Sequence, residues 1–83
     1  MATQFSGAPQ IKVRTALLIF TKGSSAPVVL YSENAQAVYE EIQQLLKSGS
    51  TSIIEKEGNG PIKKVTIQAN QISAVALQEE QYV

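Results

Sequence analysis

The hydrophobic and polar positions divide this chain into two strand-patterned segments around one helix-patterned segment. Between Ser32 and Gly49, apolar residues fall at Ala35, Val38, Tyr39, Ile42, Leu45 and Leu46. That spacing is one face of an α-helix, and Gln36, Glu40, Glu41, Gln43, Gln44 and Lys47 fill the other face. Ser32 or Asn34 can offer a side-chain oxygen to the orphan N–H groups of the first turn. Glu33 and Lys47 suit the dipole at their respective ends, and Gly49 can take the left-handed conformation that stops a helix. The pattern predicts a helix over residues 33–48. So short a helix is marginal alone in water, so its stripe must dock on the flanking segments.

Those segments alternate with a period of two. In Ile11–Phe20, one face carries Ile11, Val13, Thr15, Leu17 and Ile19, and the other carries Lys12, Arg14, Ala16, Leu18 and Phe20. A turn cluster, Thr21–Pro27, leads to a short strand at Val28–Tyr31. A connection this short makes an antiparallel hairpin, since a parallel crossover needs a dozen residues or more. After the helix, a strand centred on Ile53 and Ile54 meets Gly58-Asn59-Gly60-Pro61, a strong turn signal because Gly and Asn tolerate positive φ. The return strand Ile62–Ala69 points Val65 and Ile67 one way and Lys64, Thr66 and Gln68 the other. Ala69-Asn70-Gln71 reads as a kink, and Ile72–Leu77 as a continuation or a fifth strand. The expected fold is α+β: two layers, an antiparallel sheet of four to five strands with one helix on one face, in the order ββαββ. Residues 1–10 read as an N-terminal arm, 11–77 as the single domain and 78–83 as a polar tail.

Ala35 and Tyr39, Ser48-Gly49, Lys63-Lys64 and Ile72-Ser73-Ala74-Val75 resemble the pattern of a family of small uncharacterised cyanobacterial proteins. The likeness covers Pro27 to Leu77. It implies the same fold and a cyanobacterial origin, and it brings no site with it.

Composition narrows the chemistry. The 83 residues contain no His, no Cys and no Asp, and seven Lys and Arg balance seven Glu. The commonest general base and the thiol nucleophile are both missing, so Ser-His-Asp chemistry and the usual zinc sites cannot be assembled. The Gly58–Pro61 turn is followed by no helix and is no phosphate loop. Glu40 and Glu41 point about 100° apart on the helix and do not converge as an acid–base pair. The sequence therefore points to no enzyme, no metal and no cofactor. No apolar run approaches a membrane span, and Met1–Gln10 has no signal-peptide pattern, so the expected setting is the cytoplasm.

One feature asks for a partner. Leu18 and Phe20 face away from Leu17 and Ile19, and Val29 and Tyr31 face away from Val28 and Leu30, yet one helix covers one face. The expected function is a non-enzymatic protein–protein interaction or self-assembly module, as a homodimer joined sheet on sheet through Leu18, Phe20, Val29 and Tyr31. The competing structural reading covers that face with the arm or the tail. The alternative function is a small RNA-binding or regulatory domain that uses Lys12, Arg14, Lys63 and Lys64 on phosphates. The balanced charge and the lack of an exposed aromatic pair count against nucleic acid, and lysines also decorate edge strands to block aggregation.

Overall fold

The computed structural model describes residues 12–82, so the arm expected over residues 1–10 lies outside the described residues. The helix α1 spans Ala35–Ser48, close to the predicted bounds. Asn34 holds the N-cap position without a side-chain cap bond. The Ser32 hydroxyl accepts the Asn34 N–H instead, at 3.1 Å. At the other end Gly49 takes φ 69°. Its N–H reaches the Leu46 carbonyl, and the Ser50 N–H reaches Leu45 at 3.0 Å. Two orphan carbonyls are thereby satisfied in the paired arrangement that ends many helices.

Two strands precede α1, β1 (Lys12–Thr21) and β2 (Val28–Tyr31); three follow it, β3 (Ile53–Glu57), β4 (Lys64–Gln68) and β5 (Ile72–Tyr82). The single sheet expected from the pattern is replaced by two antiparallel sheets. One has the order β2-β1-β5, and the other is the β3-β4 hairpin. The reason lies at β2, which has only four residues. A single bond, from the Asn59 N–H to the Tyr31 carbonyl at 2.7 Å, ties the hairpin turn to its end. The hairpin docks through side chains: Ile54 is buried in the core, and Ile62, Val65 and Ile67 pack against it. Lys56 adds an ion pair to Glu41 of α1 at 2.6 Å.

The core gathers Leu17 and Ile19 of β1, Leu30 of β2, Val38 and Ile42 of α1, Ile54, Ala69 and Ile72. The expected kink at 69–71 is a short 3-10 turn. It leads into β5, which pairs with β1 from Thr21↔Ile72 to Lys12↔Tyr82. Between Phe20↔Ala74 and Thr21↔Ile72, β5 spends one residue more than β1, so Ser73 is a bulge. The bulge keeps Ile72 on the core side along with Val75 and Leu77, which strict alternation forbids. Residues 78–82, which read as tail from their polarity, continue the strand because Lys12–Ala16 lie opposite them.

The Gly58–Pro61 turn is present, but neither of its glycines has positive φ. They are required by close approach. A Cβ on Gly58 would sit 2.6 Å from Leu30 Cδ1, and one on Gly60 would sit 2.3 Å from the Tyr31 ring.

Candidate protein interface

Directly paired residues of antiparallel strands share a face. The register therefore places Arg14 with Glu80, Ala16 with Tyr31 and Gln78, Leu18 with Val29 and Ala76, and Phe20 with Ala74 on one side of the β2-β1-β5 sheet. The other side carries Leu17, Ile19 and Leu30 into the core under α1. The first side is the outer face. Leu18, Phe20 and Val29 on it are neither fully buried nor part of the core. The sequence-predicted residues Leu18, Phe20, Val29 and Tyr31 are thus brought to one surface.

Tyr31 differs in character from the other three. Its hydroxyl donates to Glu80 Oε1 at 3.1 Å. The Arg14 guanidinium lies 4.0 Å over its ring centroid, and Arg14 Nε donates to the same Glu80 oxygen at 3.2 Å. Gln78 Nε2 donates to Glu80 Oε2 at 3.1 Å. The outer face therefore has an apolar end at Leu18, Phe20, Val29, Ala74 and Ala76, and a polar end that stacks and cross-links its own charges. Sequence reasoning missed Gln78 and Glu80. The signal available was the spacing of Gln78 and Glu80, two apart like Ala74 and Ala76.

The basic candidates are dispersed. Lys12 opens β1 opposite Tyr82. Arg14 is occupied by Glu80 and Tyr31. Lys63 precedes β4, and Lys64 lies in the second sheet with its Nζ 3.9 Å from Glu57. Beside the polar end, an open cleft of about 590 Å³ runs between the part of β1 beyond β2 and the hairpin turn; Val13, Arg14, Tyr31 and Asn59 line it. Among the described residues, no three His, Cys, Asp or Glu side chains gather as a metal site. No helix among them is long and apolar enough to cross a membrane.

A family model matches residues 30–80, from the end of β2 through α1 and the hairpin to the polar end of β5. The chain belongs to the UPF0367 protein family. No curated protein and no solved structure matches it. The matched segment holds Leu30, Val38, Ile42, Ile54, Ala69 and Ile72 of the core. Of the outer face it includes Tyr31, Ala74, Ala76, Gln78 and Glu80, whereas Arg14, Leu18, Phe20 and Val29 precede it. The UPF0367 segment thus supplies the β5 flank of the outer face and Tyr31 on the β2 flank, and β1 supplies its centre.

Proposed function

We propose that this UPF0367 chain is a non-enzymatic interaction module that self-associates through the outer face of its three-stranded sheet, as a two-fold dimer packed sheet on sheet. One observation carries the reading: α1 covers only the inner face, and Leu18, Phe20 and Val29 lie together on the other, outside the core. Burying a large apolar side chain completely is worth ~1.5–3 kcal/mol relative to leaving it exposed. These three are already half-buried, so each has a fraction of that to gain. A domain of this size holds a thin margin of stability, and closed two-fold symmetry is the commonest way to bury one patch against its own copy. The Arg14–Tyr31–Glu80 cluster bounds the apolar patch at one end.

The test is light scattering at micromolar concentration on the native chain and on Phe20→Glu, with circular dichroism to establish that both are folded. The expected result is that Phe20→Glu halves the mass of the native assembly, and an unchanged mass counts against the face. A native chain with the mass of one copy refutes the proposal.

A further inference from the structure

We propose that the free edge of β5 is a second association surface, and that it pairs antiparallel with the same edge of another copy of this chain to join two three-stranded sheets into one of six. This goes beyond the face packing above, because it uses the backbone groups of the strand edge and not the side chains of Leu18, Phe20 and Val29. In the order β2-β1-β5, β5 is an edge strand eleven residues long, paired among the described residues with β1 alone. Among the described residues, the one backbone bond outside that pairing that involves residues 72–82 is local, from the Ile72 N–H to the Ala69 carbonyl of the preceding turn, and none involves residues 73–82. Such an edge is a template for another strand unless charge, proline, a bulge or shortness blunts it. The far edge at β2 is four residues long. The hairpin strands carry Glu55, Lys56, Glu57 and Lys64. On β5 the bulge is spent at Ser73, and Ala74-Val75-Ala76-Leu77-Gln78 holds no charge and no proline.

The chemistry of the edge fits a second copy. Pairing centred on Ala76 sets Ala76 opposite its own counterpart, Val75 opposite Leu77, and Ala74 opposite Gln78. Helix-side residues then meet helix-side residues, and the small Ala74 and Ala76 lie at the joint on the outer side. Sliding the strands toward their C-terminal ends brings Glu79 and Glu80 of the two copies toward each other, which like charges oppose. Sliding them the other way sets the Ser73 bulge opposite Leu77.

The Ala76 register also matches charge. Glu79 is exposed on the helix side of the sheet, opposite Thr15, and has no ion pair among the described residues. Lys22 is exposed, likewise without an ion pair, and sits just past the start of β5, where its N–H donates to the Gln71 carbonyl at 2.8 Å. It lines the same helix-side hollow as Leu45 and Ile72. Pairing about Ala76 carries Glu79 of each copy to the level of Ser73 of the other, one strand from Lys22. Two symmetric attractions fix the register more than they add affinity.

The chain has no cysteine, so single-cysteine variants report the axis directly. A disulfide needs Cα atoms within about 7 Å, which directly opposed residues meet. Ala76→Cys should cross-link to itself under mild oxidation. Ala74→Cys and Gln78→Cys should not do so alone, because each lies roughly 13 Å along the strand from its own copy. A mixture of those two should cross-link. Phe20→Glu should leave the Ala76→Cys cross-link in place, which separates this surface from the outer face. Lys22→Glu should weaken the dimer of the Phe20→Glu chain about two- to thirtyfold, the range for two exposed ion pairs, and adding Glu79→Lys should restore it. A folded Ala76→Cys chain that fails to cross-link overturns the proposal. So does self-cross-linking at 74 and 78 as fast as at 76, or a dimer indifferent to Lys22→Glu.

Discussion

Ile42→Ala is the sharpest probe of how the two sheets are held together. Ile42 is fully buried, and its side chain belongs to the one cluster that also contains Leu17, Ile19 and Leu30 of the first sheet and Ile54 of the second. The substitution removes three carbon groups. At ~0.8 kcal/mol each, their transfer alone is worth about 2.4 kcal/mol. The cavity adds to this, because elements on several sides would have to move to close it, and core Ile→Ala changes span ~2–5 kcal/mol in all. A domain of this length holds roughly 4–12 kcal/mol, so the loss takes from about a sixth of the margin to all of it. Urea unfolding followed by far-ultraviolet circular dichroism reads it. With a slope of about 1 kcal/mol per molar for so small a protein, the midpoint should fall by roughly 2–5 M, and with a margin near the bottom of its range the larger losses leave the variant partly unfolded in water. Ile42→Val, which removes one methyl, should cost only ~0.5–1.5 kcal/mol. If Ile42→Ala costs no more than Ile42→Val, the helix stripe does not bind the sheets and the reasoning fails.

Two further substitutions test the turns. Gly49→Val should destabilise by about 1–2 kcal/mol through backbone strain alone, since φ is 69° there and a Cβ would meet nothing within 4 Å; Gly49→Asn should recover much of the loss, and equal costs for the two would remove the left-handed terminus. Gly60→Ala should cost more than an ordinary turn substitution, because its Cβ would fall 2.3 Å from the Tyr31 ring. The Tyr31 resonances should shift with it in an NMR spectrum, and an unperturbed Tyr31 would show that the turn does not press on the ring.

The helix was legible because its signals are local. The apolar stripe, the Lys47 end and the Gly49 stop all lie within one stretch, and each constrains the same few turns. β5 was half legible. Ile72–Leu77 shows itself by apolar content, but Gln78–Tyr82 has polar residues on both faces and becomes strand through its pairing with Lys12–Ala16 at the other end of the chain. The same non-local pairing hid Glu80, whose partners Arg14 and Tyr31 are remote in sequence. The division into two sheets was not legible either. Alternation in β3 and β4 reveals a buried face but not whether the edge of that hairpin meets β2. Leu18, Phe20 and Val29 were found because a strand apolar on both faces carries more than one helix can cover.

The pairing of β1 with β5 sets the order of events when the chain is made. Its ladder joins residues about 50 to 70 positions apart, a separation whose loop-closure entropy must be met before any contact repays it. At about 5–20 residues per second, β1 is made several seconds before its long partner exists. Throughout that interval, the strand with apolar residues on both faces has only the four residues of β2 beside it. The newborn chain therefore passes through a phase in which its most adhesive segment is also its least occupied one, and a chaperone that holds extended apolar strands would find it there.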